Sequence, residues 1–452
     1  MHRCLRSGIA IFALLLSLLL GVSSGGAAPA GTVVASGLVN PRYLAVLDDG
    51  TIYVSEAGTG GSEALPPSPD APPGSPPGSR GTTGRVTKIA PGGAKTVVAT
   101  GLPSYNEMGA VGPAGIVYAN GAIWLAISGG GVGLGITPLA NENAVVKIDP
   151  TSGAVTRVAD IGAYEKANNP AKNNLDANLY GMALGPDGNL IVADAAGDAV
   201  YRVNPASGIV GAPTIIPCIA PPTGLPLPPG GNPECPNSEP KIDSVPTSPA
   251  VGPDGTVYVG LLSGGPFIPG TAKVVKLGAD GTVSDAVTGL TMVTGVAFGP
   301  DKAMYVCELS TEFSETGPPK PGQVLRVLPG GKTEVVVDNL LLPNGIAFDK
   351  AGNLYVTTNT VAFGPGAPAG TVTRYDGIAA APAPSVAATP APVPTATPVR
   401  TPTPPAPMPG LPNTGGGGGN GPTMPVWPLL ALGTALGGAL ALRRRTRATR
   451  AR

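Results

Sequence analysis

Six times along the chain a run of β-branched and aromatic residues meets a turn-forming pair and then resumes: NPRYLAVLDDGTIYVSE, GPAGIVYANGAIWLAIS, LYGMALGPDGNLIVADA, PTSPAVGPDGTVYVGLL, VTGVAFGPDKAMYVCEL and PNGIAFDKAGNLYVTTN. Each reads as strand, tight turn, strand, because Gly and Asp favour the reversal while Val, Ile and Tyr favour extended backbone. A third strand follows each pair: GRVTKI, NAVVKI, DAVYRV, AKVVKL, GQVLRV and GTVTRY. Its fifth place is always basic, filled by Lys88, Lys147, Arg202, Lys276, Arg326 and Arg374. At a place repeated in every block, these bases are expected to lay their stems along the outer sheet and hold the charge in water. Blocks one to five run on through a short turn into a fourth strand, whereas block six passes from TRYDG straight into proline-rich sequence.

One sheet is therefore a strand short, and one strand has no sheet. GTVVASGL, Gly31–Leu38, is a near copy of the block-closing KTVVATGL (Lys95–Leu102), TVSDAVTGL (Thr282–Leu290) and TEVVVDNL (Thr333–Leu340), yet no block precedes it. Repeated four-stranded units arranged radially make a β-propeller, and an open ring would leave an unpaired sheet edge. The expected fold is all-β: a six-bladed β-propeller over residues 31–377, with Thr32–Leu38 as the outer strand of the last blade. Burial of Val33 and Val34 is expected to contribute roughly 1.5–3 kcal/mol each.

The flanks have other roles. Residues 1–30 carry Arg3 and Arg6, an uncharged apolar run and a small-residue ending, the layout of a signal peptide. Residues 378–410 are almost wholly Ala, Pro, Thr and Val, which cannot bury a core. They are expected to form a disordered Pro-rich stalk reaching roughly 100 Å at about 3.1 Å per residue. Residues 411–422 hold Leu411, Pro412, Asn413, Thr414 and Gly415 followed by a glycine spacer. Residues 423–442 form an uncharged apolar run long enough for one C-terminal transmembrane helix, and 443–452 are a basic tail expected on the cytoplasmic side. The ordered trio of LPNTG, span and basic tail resembles a sortase sorting signal, in which a sortase-type transpeptidase cuts between the residues matching Thr414 and Gly415. A retained membrane anchor is the alternative, and either one displays the propeller at the cell surface.

Charge and rare residues narrow the chemistry. Eight of the 28 Lys and Arg residues lie in the leader and the tail, leaving 20 against 28 acids, a net of −8 for the rest. Such a surface is a poor partner for nucleic acid, whose phosphates need clustered bases. The one histidine is His2, in the leader, so imidazole chemistry and His-ligated metals are excluded from the exported body. Cys218 and Cys235 flank a Pro- and Gly-rich loop and could close a disulfide, while Cys307 lies in the strand-like AMYVCEL and is expected to be buried.

Loop length separates the two ends of the propeller. Turns between strands one and two, and three and four, are short; the connections 57–83, 128–142, 262–271, 309–321 and 358–369 are long, as are several links between blades. In antiparallel blades these long segments emerge on one face, which is the expected ligand-binding face. Its polar candidates are Arg42, Glu56, Glu107, Tyr164, Glu165, Asn168, Asn169, Asp194, Glu308, Asn344 and Asn359. Against this stands the plainer reading that most are turn formers and solvated loop residues. GGGVGLG, Gly129–Gly135, lacks phosphate-loop spacing and is read as a flexible loop.

Three stretches carry a resemblance: YNEMGAVGPAGI, AYEKANNP…DANLYGMALGPDGNLIVADAAGDAVYRV and VPTSPAVGPDGTVYVGLLSGGPFIPGTAKVVKL. In them residues 31–377 resemble the ScyD/ScyE-type family of exported NHL-like propellers, which implies an extracytoplasmic six-bladed propeller without assigning an activity. LPNGIAFDKAGNLYVTTN looks like the Pro-Asn-Gly segment of gluconolactonase-type (SMP-30-like) hydrolases, which implies Asn344 as one oxygen ligand of a divalent metal in the central channel. Its counterparts in the other blocks are Arg42, Ala114, Tyr180, Thr247 and Thr294, none of them Asn, Asp or Glu. Glu56, Glu107 or Asp194 could add oxygens, and Ca²⁺ is the ion such donors would suit. The expected function is therefore non-catalytic binding of a protein, glycan or small molecule with no cofactor; the alternative is a divalent-metal-dependent hydrolase with oxygen ligands only.

Overall fold

The computed structural model describes residues 29–65, 77–106, 109–173, 175–222, 235, 241–313, 319–361 and 369–380. The leader up to residue 28, the stalk from residue 381, LPNTG, the apolar run and the basic tail lie outside these residues. Ile378 and Ala379, expected to open the stalk, pack instead against the fifth and sixth repeats. Among the described residues no helix is long and apolar enough to cross a membrane.

The strands form six antiparallel sheets, one per repeat. Blade one is Pro41–Val46, Ile52–Glu56, Ser79–Ile89 and Lys95–Asn106, extended by small strands in its loops. Blade two is Pro113–Ala119, Ala122–Ile127, Ala144–Ile148 and Val155–Asp160. Blade three is Leu179–Leu184, Leu190–Asp194 and Ala199–Asn204, and its outer strand is split into Gly208–Ile209 and Thr214–Ile215. The split falls at Gly211-Ala212-Pro213, where Gly211 has φ 67° and proline has no N–H to give a ladder. Blade four is Pro246–Val251, Val257–Leu261, Ala272–Leu277 and Val283–Leu290; blade five is Val293–Phe298, Met304–Glu308, Gly322–Val327 and Thr333–Leu340.

Blade six draws on both ends of the propeller sequence. Ile346–Phe348, Leu354–Thr358 and Gly370–Tyr375 are completed by Thr32–Leu38, in the register Thr32↔Arg374, Val33↔Thr373, Ala35↔Val372 and Leu38↔Gly370. The register slips twice, and this reverses one expectation: Val33 is 57% exposed and Val34 half-buried, while Ala35 and Leu38 are buried. The same spacing of buried residues recurs in the outer strands of blades one, four and five, at Ala99 and Leu102, Val287 and Leu290, and Val337 and Leu340. Just before each buried leucine stands a residue with positive φ: Gly37 at 71°, Gly101 at 75°, Gly289 at 79° and Asn339 at 53°. That bulge accounts for the repeated Gly-Leu or Asn-Leu endings, since Gly and Asn tolerate the left-handed region best.

The core is divided among the seams. Tyr43, Val86 and Leu102 of blade one pack with Ile116 and Leu125 of blade two, and comparable clusters fill every other junction. At the junction of blades six and one, Ala35, Leu38 and Val372 meet Leu44, Val54 and Ile89. The repeated bases reach the turn end. Arg202 pairs with Asp187 and Arg326 with Asp301, both at 2.8 Å, and Lys147 lies 5.7 Å from the centre of the Trp124 ring. Cys218 and Cys235 are joined in a disulfide, and Cys307 is fully buried.

Candidate functional site

The second strand of blades one, three and five ends in an acid: Glu56, Asp194 and Glu308. Each folds back to accept a backbone N–H from the chain just entering its own blade. Val39 donates to Glu56 at 2.6 Å, Asn178 to Asp194 at 2.7 Å and Thr291 to Glu308 at 2.7 Å. These amides precede a strand and have no ladder partner, so the acid satisfies a donor that burial would leave costly. In two blades the residue across the sheet completes the clamp. Arg85, paired in register with Glu56, donates from Nε at 2.9 Å and Nη2 at 2.7 Å. Gln323, paired with Glu308, donates at 2.7 Å. Burial still raises the Glu308 carboxyl above the usual range, opposed by these two donors.

The inner-strand positions that align with Asn344 do converge, at the middle of the ring. The Tyr180 hydroxyl donates to Asn344 Oδ1 at 2.5 Å, and Asn344 Nδ2 donates to the Arg42 carbonyl at 3.3 Å. The Arg42 guanidinium lies 6.0 Å from the centre of the Tyr180 ring and donates to the Ala110 carbonyl. Tyr43, the next residue, crosses the channel: its hydroxyl stands 2.6 Å from the Thr294 carbonyl and 3.2 Å from that of Thr247. Toward the long-loop end the space is filled by Val245, Leu262, Phe267, Met292, Leu309 and Leu342. A divalent ion does not fit this donor set, because the one amide oxygen is taken by a phenol and a guanidinium stands beside it.

Glu165 reaches its place on a helix. The link between blades two and three, read from sequence as a plain connection, contains the helix Ile161–Asn168. Asp160 caps it by accepting from Ala163 N at 2.9 Å, and Asn169, with φ 37°, ends it. Ile161 and Glu165, four residues apart, share the buried face. The Tyr201 hydroxyl donates to Glu165 Oε2 at 3.0 Å, and Tyr164 packs edge-on against Tyr201. Asp194 accepts through Oδ1 from Asn178 and, at 3.1 Å, from Gly197 N. Burial, then the neighbouring Asp194 charge, push the Glu165 carboxyl up to about 7; burial pushes Asp194 up to about 6.

The other candidates scatter. Glu107 lies outside the described residues. Asn168 is exposed and donates to the Tyr164 carbonyl inside its own helix, and Asn169 donates to the Asn173 carbonyl at 2.9 Å. Asn359 takes φ 53° and donates to the Ala369 carbonyl, a turn-forming role. Asp198 and Asp243 approach Cys218, all within 4.8 Å, but that sulfur belongs to the disulfide and Ser244 donates to Asp198 at 2.5 Å.

Sequence reasoning missed a polar network across the loops of blades one and two. Arg80 pairs with Glu63 at 2.5 Å and donates to the Tyr105 hydroxyl at 3.2 Å; Tyr105 donates to Glu142 at 2.6 Å. Glu142 in turn accepts from Gly131 N and Leu139 N. The glycine-rich Gly129–Gly135 stretch is thus not a loose loop. It holds a helical turn, Gly131–Leu134, whose first N–H is met by a carboxylate of the protein itself.

No protein-family model matches this chain, and no curated protein matches it either. Similar solved structures include an oxidoreductase (glucose dehydrogenase) from Thermus thermophilus, 16% identical over 76% of this chain and 99% of that one, with a TM-score of 0.46. The calcium-binding protein regucalcin from Agrobacterium tumefaciens is 12% identical over 77% of this chain and 95% of its own, with a TM-score of 0.45. Virginiamycin B lyase from Staphylococcus aureus is 13% identical over 74% and 94%, with a TM-score of 0.37. Identities this low assign no activity.

Proposed function

We propose that this chain is a surface-anchored, extracytoplasmic β-propeller that binds a protein, glycan or small-molecule ligand on its long-loop face and performs no catalysis there. One observation carries the reading. The channel in which a propeller would house a metal or substrate is filled by Tyr43, Arg42, Tyr180 and Asn344, whose polar atoms are engaged with one another and with backbone carbonyls. Recognition is left to the loops, and the chain Glu63–Arg80–Tyr105–Glu142 gives them a rigid footing. The resemblance to ScyD/ScyE-type propellers supports the same reading, and the leader, stalk, LPNTG and apolar run support display outside the cell. The hydrolase alternative needs Asn344 Oδ1 free for a metal, and here that oxygen accepts from the Tyr180 hydroxyl.

The test pairs a loop-face variant with a turn-face control. Lys166→Glu with Asn168→Arg alters exposed loop-face residues, and Lys332→Glu alters the opposite end. On glycan arrays and small-molecule panels the first should lose the wild-type signal and the second keep it. Chelator-sensitive hydrolysis of a lactone panel by the wild type would overturn the reading. Mass spectrometry of the cell-surface protein addresses the anchor: an end at Thr414 means transpeptidation, and an intact Arg452 means a retained membrane segment.

A further inference from the structure

Blade three departs from the clamp that blades one and five share. Where Arg85 faces Glu56 and Gln323 faces Glu308, Asp194 is paired across the sheet with Ala199, which has nothing to donate. A second acid, Glu165, enters from the helix instead. Both side chains are 0% exposed, and among the described residues neither Glu165 Oε1 nor Asp194 Oδ2 meets a hydrogen-bond donor. Two buried carboxylates with orphaned oxygens and no facing cation are costly unless something positive lies between them.

The backbone leaves room for it. A Cβ on Gly197 would lie 2.9 Å from the orphaned Asp194 Oδ2 and 3.5 Å from Glu165 Oε2, the oxygen that also accepts from Tyr201, so the glycine keeps open a gap between the two acids. Asn173, which donates to the Ala196 carbonyl in the same turn, has an unpartnered side-chain oxygen, as does Asn169. Every unmet atom here is oxygen, with neither nitrogen nor sulfur on offer, which is the donor chemistry of a hard cation. We propose that Glu165 and Asp194 hold a divalent cation of the Ca²⁺ class in the gap left by Gly197, tying the helix Ile161–Asn168 to blade three. The proposal is independent of what the loop face binds.

The intact protein is stripped with EGTA and melted across a Ca²⁺ titration beside E165Q and G197A. At about 5 mM Ca²⁺, above the range of about 0.1–1 mM typical of extracellular calcium modules, the wild type should melt about 2–3 °C higher and take up calcium in equilibrium dialysis. Neither variant should respond: E165Q loses a ligand charge, and the new methyl of G197A occupies the gap. E165Q should melt at least as high as the wild type in EGTA, because its amide can donate to Asp194 Oδ2; that also establishes that it folds. No shift of the wild type by Ca²⁺ or Mg²⁺ would overturn the site, leaving water or a shared proton between the acids. An equal shift in wild type and both variants would overturn it too, by placing the ion elsewhere.

Discussion

In blade one the acid at the end of the second strand is gripped by two guanidinium nitrogens of Arg85; in blade three the same position looks across the sheet at a methyl group. Blade five lies between, with the neutral amide of Gln323. The backbone amide that each acid accepts is common to all three, so the carboxylate itself is architecture. Only the facing residue varies. A repeat fold of this kind makes a position informative where it breaks the pattern, because the other blades state what completion requires.

The largest expected effect tests the completed clamp. Arg85→Ala leaves Glu56 buried with its counter-charge removed, and urea unfolding should register a loss of about 3 kcal/mol. A loss under about 1 kcal/mol would mean that the Val39 amide and the Thr87 hydroxyl, which also donates to Glu56, suffice, and blade three would no longer look deficient. Gln323→Ala removes a single neutral donor from Glu308, and the same measurement should give about 1–2 kcal/mol. If Gln323→Ala cost more than Arg85→Ala, charge would not be what separates the blades.

The smallest effect is in the pH profile. Burial raises the Glu308 carboxyl in the folded state, so the native protein holds that proton to higher pH than the unfolded chain does. Its contribution to stability is therefore greatest below the unfolded value of about 4.3 and is lost as pH rises through the folded value. Glu308→Gln should flatten that part of the profile. At the turn end the sign is opposite: backbone N–H donors lower Asp49, Asp149 and Asp254, so their stabilisation is lost as pH falls below the ordinary aspartate range. A profile that declined only on the acid side would show that buried Glu308 contributes nothing measurable.

How much of this could be read beforehand follows the reach of each interaction. The blades were legible because strand, turn and strand repeat locally, and the Gly-Leu and Asn-Leu endings marked the outer bulge without revealing why Gly or Asn stands there. Val33 was misplaced because the apolar pair Val33-Val34 was read as buried on composition, whereas the bulged strand turns Ala35 and Leu38 inward. Glu56, Asp194 and Glu308 stood out as polar residues at strand ends, yet their partners are main-chain amides that carry no signature in sequence. The facing residues were within reach: aligning GRVTKI, DAVYRV and GQVLRV sets Arg85, Ala199 and Gln323 at comparable places. The plug was not, since Tyr43 looks like any inner-strand aromatic and finds its partners 204 and 251 residues away. The helix Ile161–Asn168 was hidden by the asparagines after it, although Asp160 signals its start.

The seam in blade six also decides where mechanical load enters. Gly370–Tyr375 is the last strand among the described residues, and it is hydrogen-bonded along both edges, to Leu354–Thr358 on one side and Thr32–Leu38 on the other. Tension applied beyond residue 380 would shear two ladders together instead of peeling an outermost strand one bond at a time. A propeller whose first and last segments interlock in this way should resist unravelling from that end better than one that ends on an outermost strand.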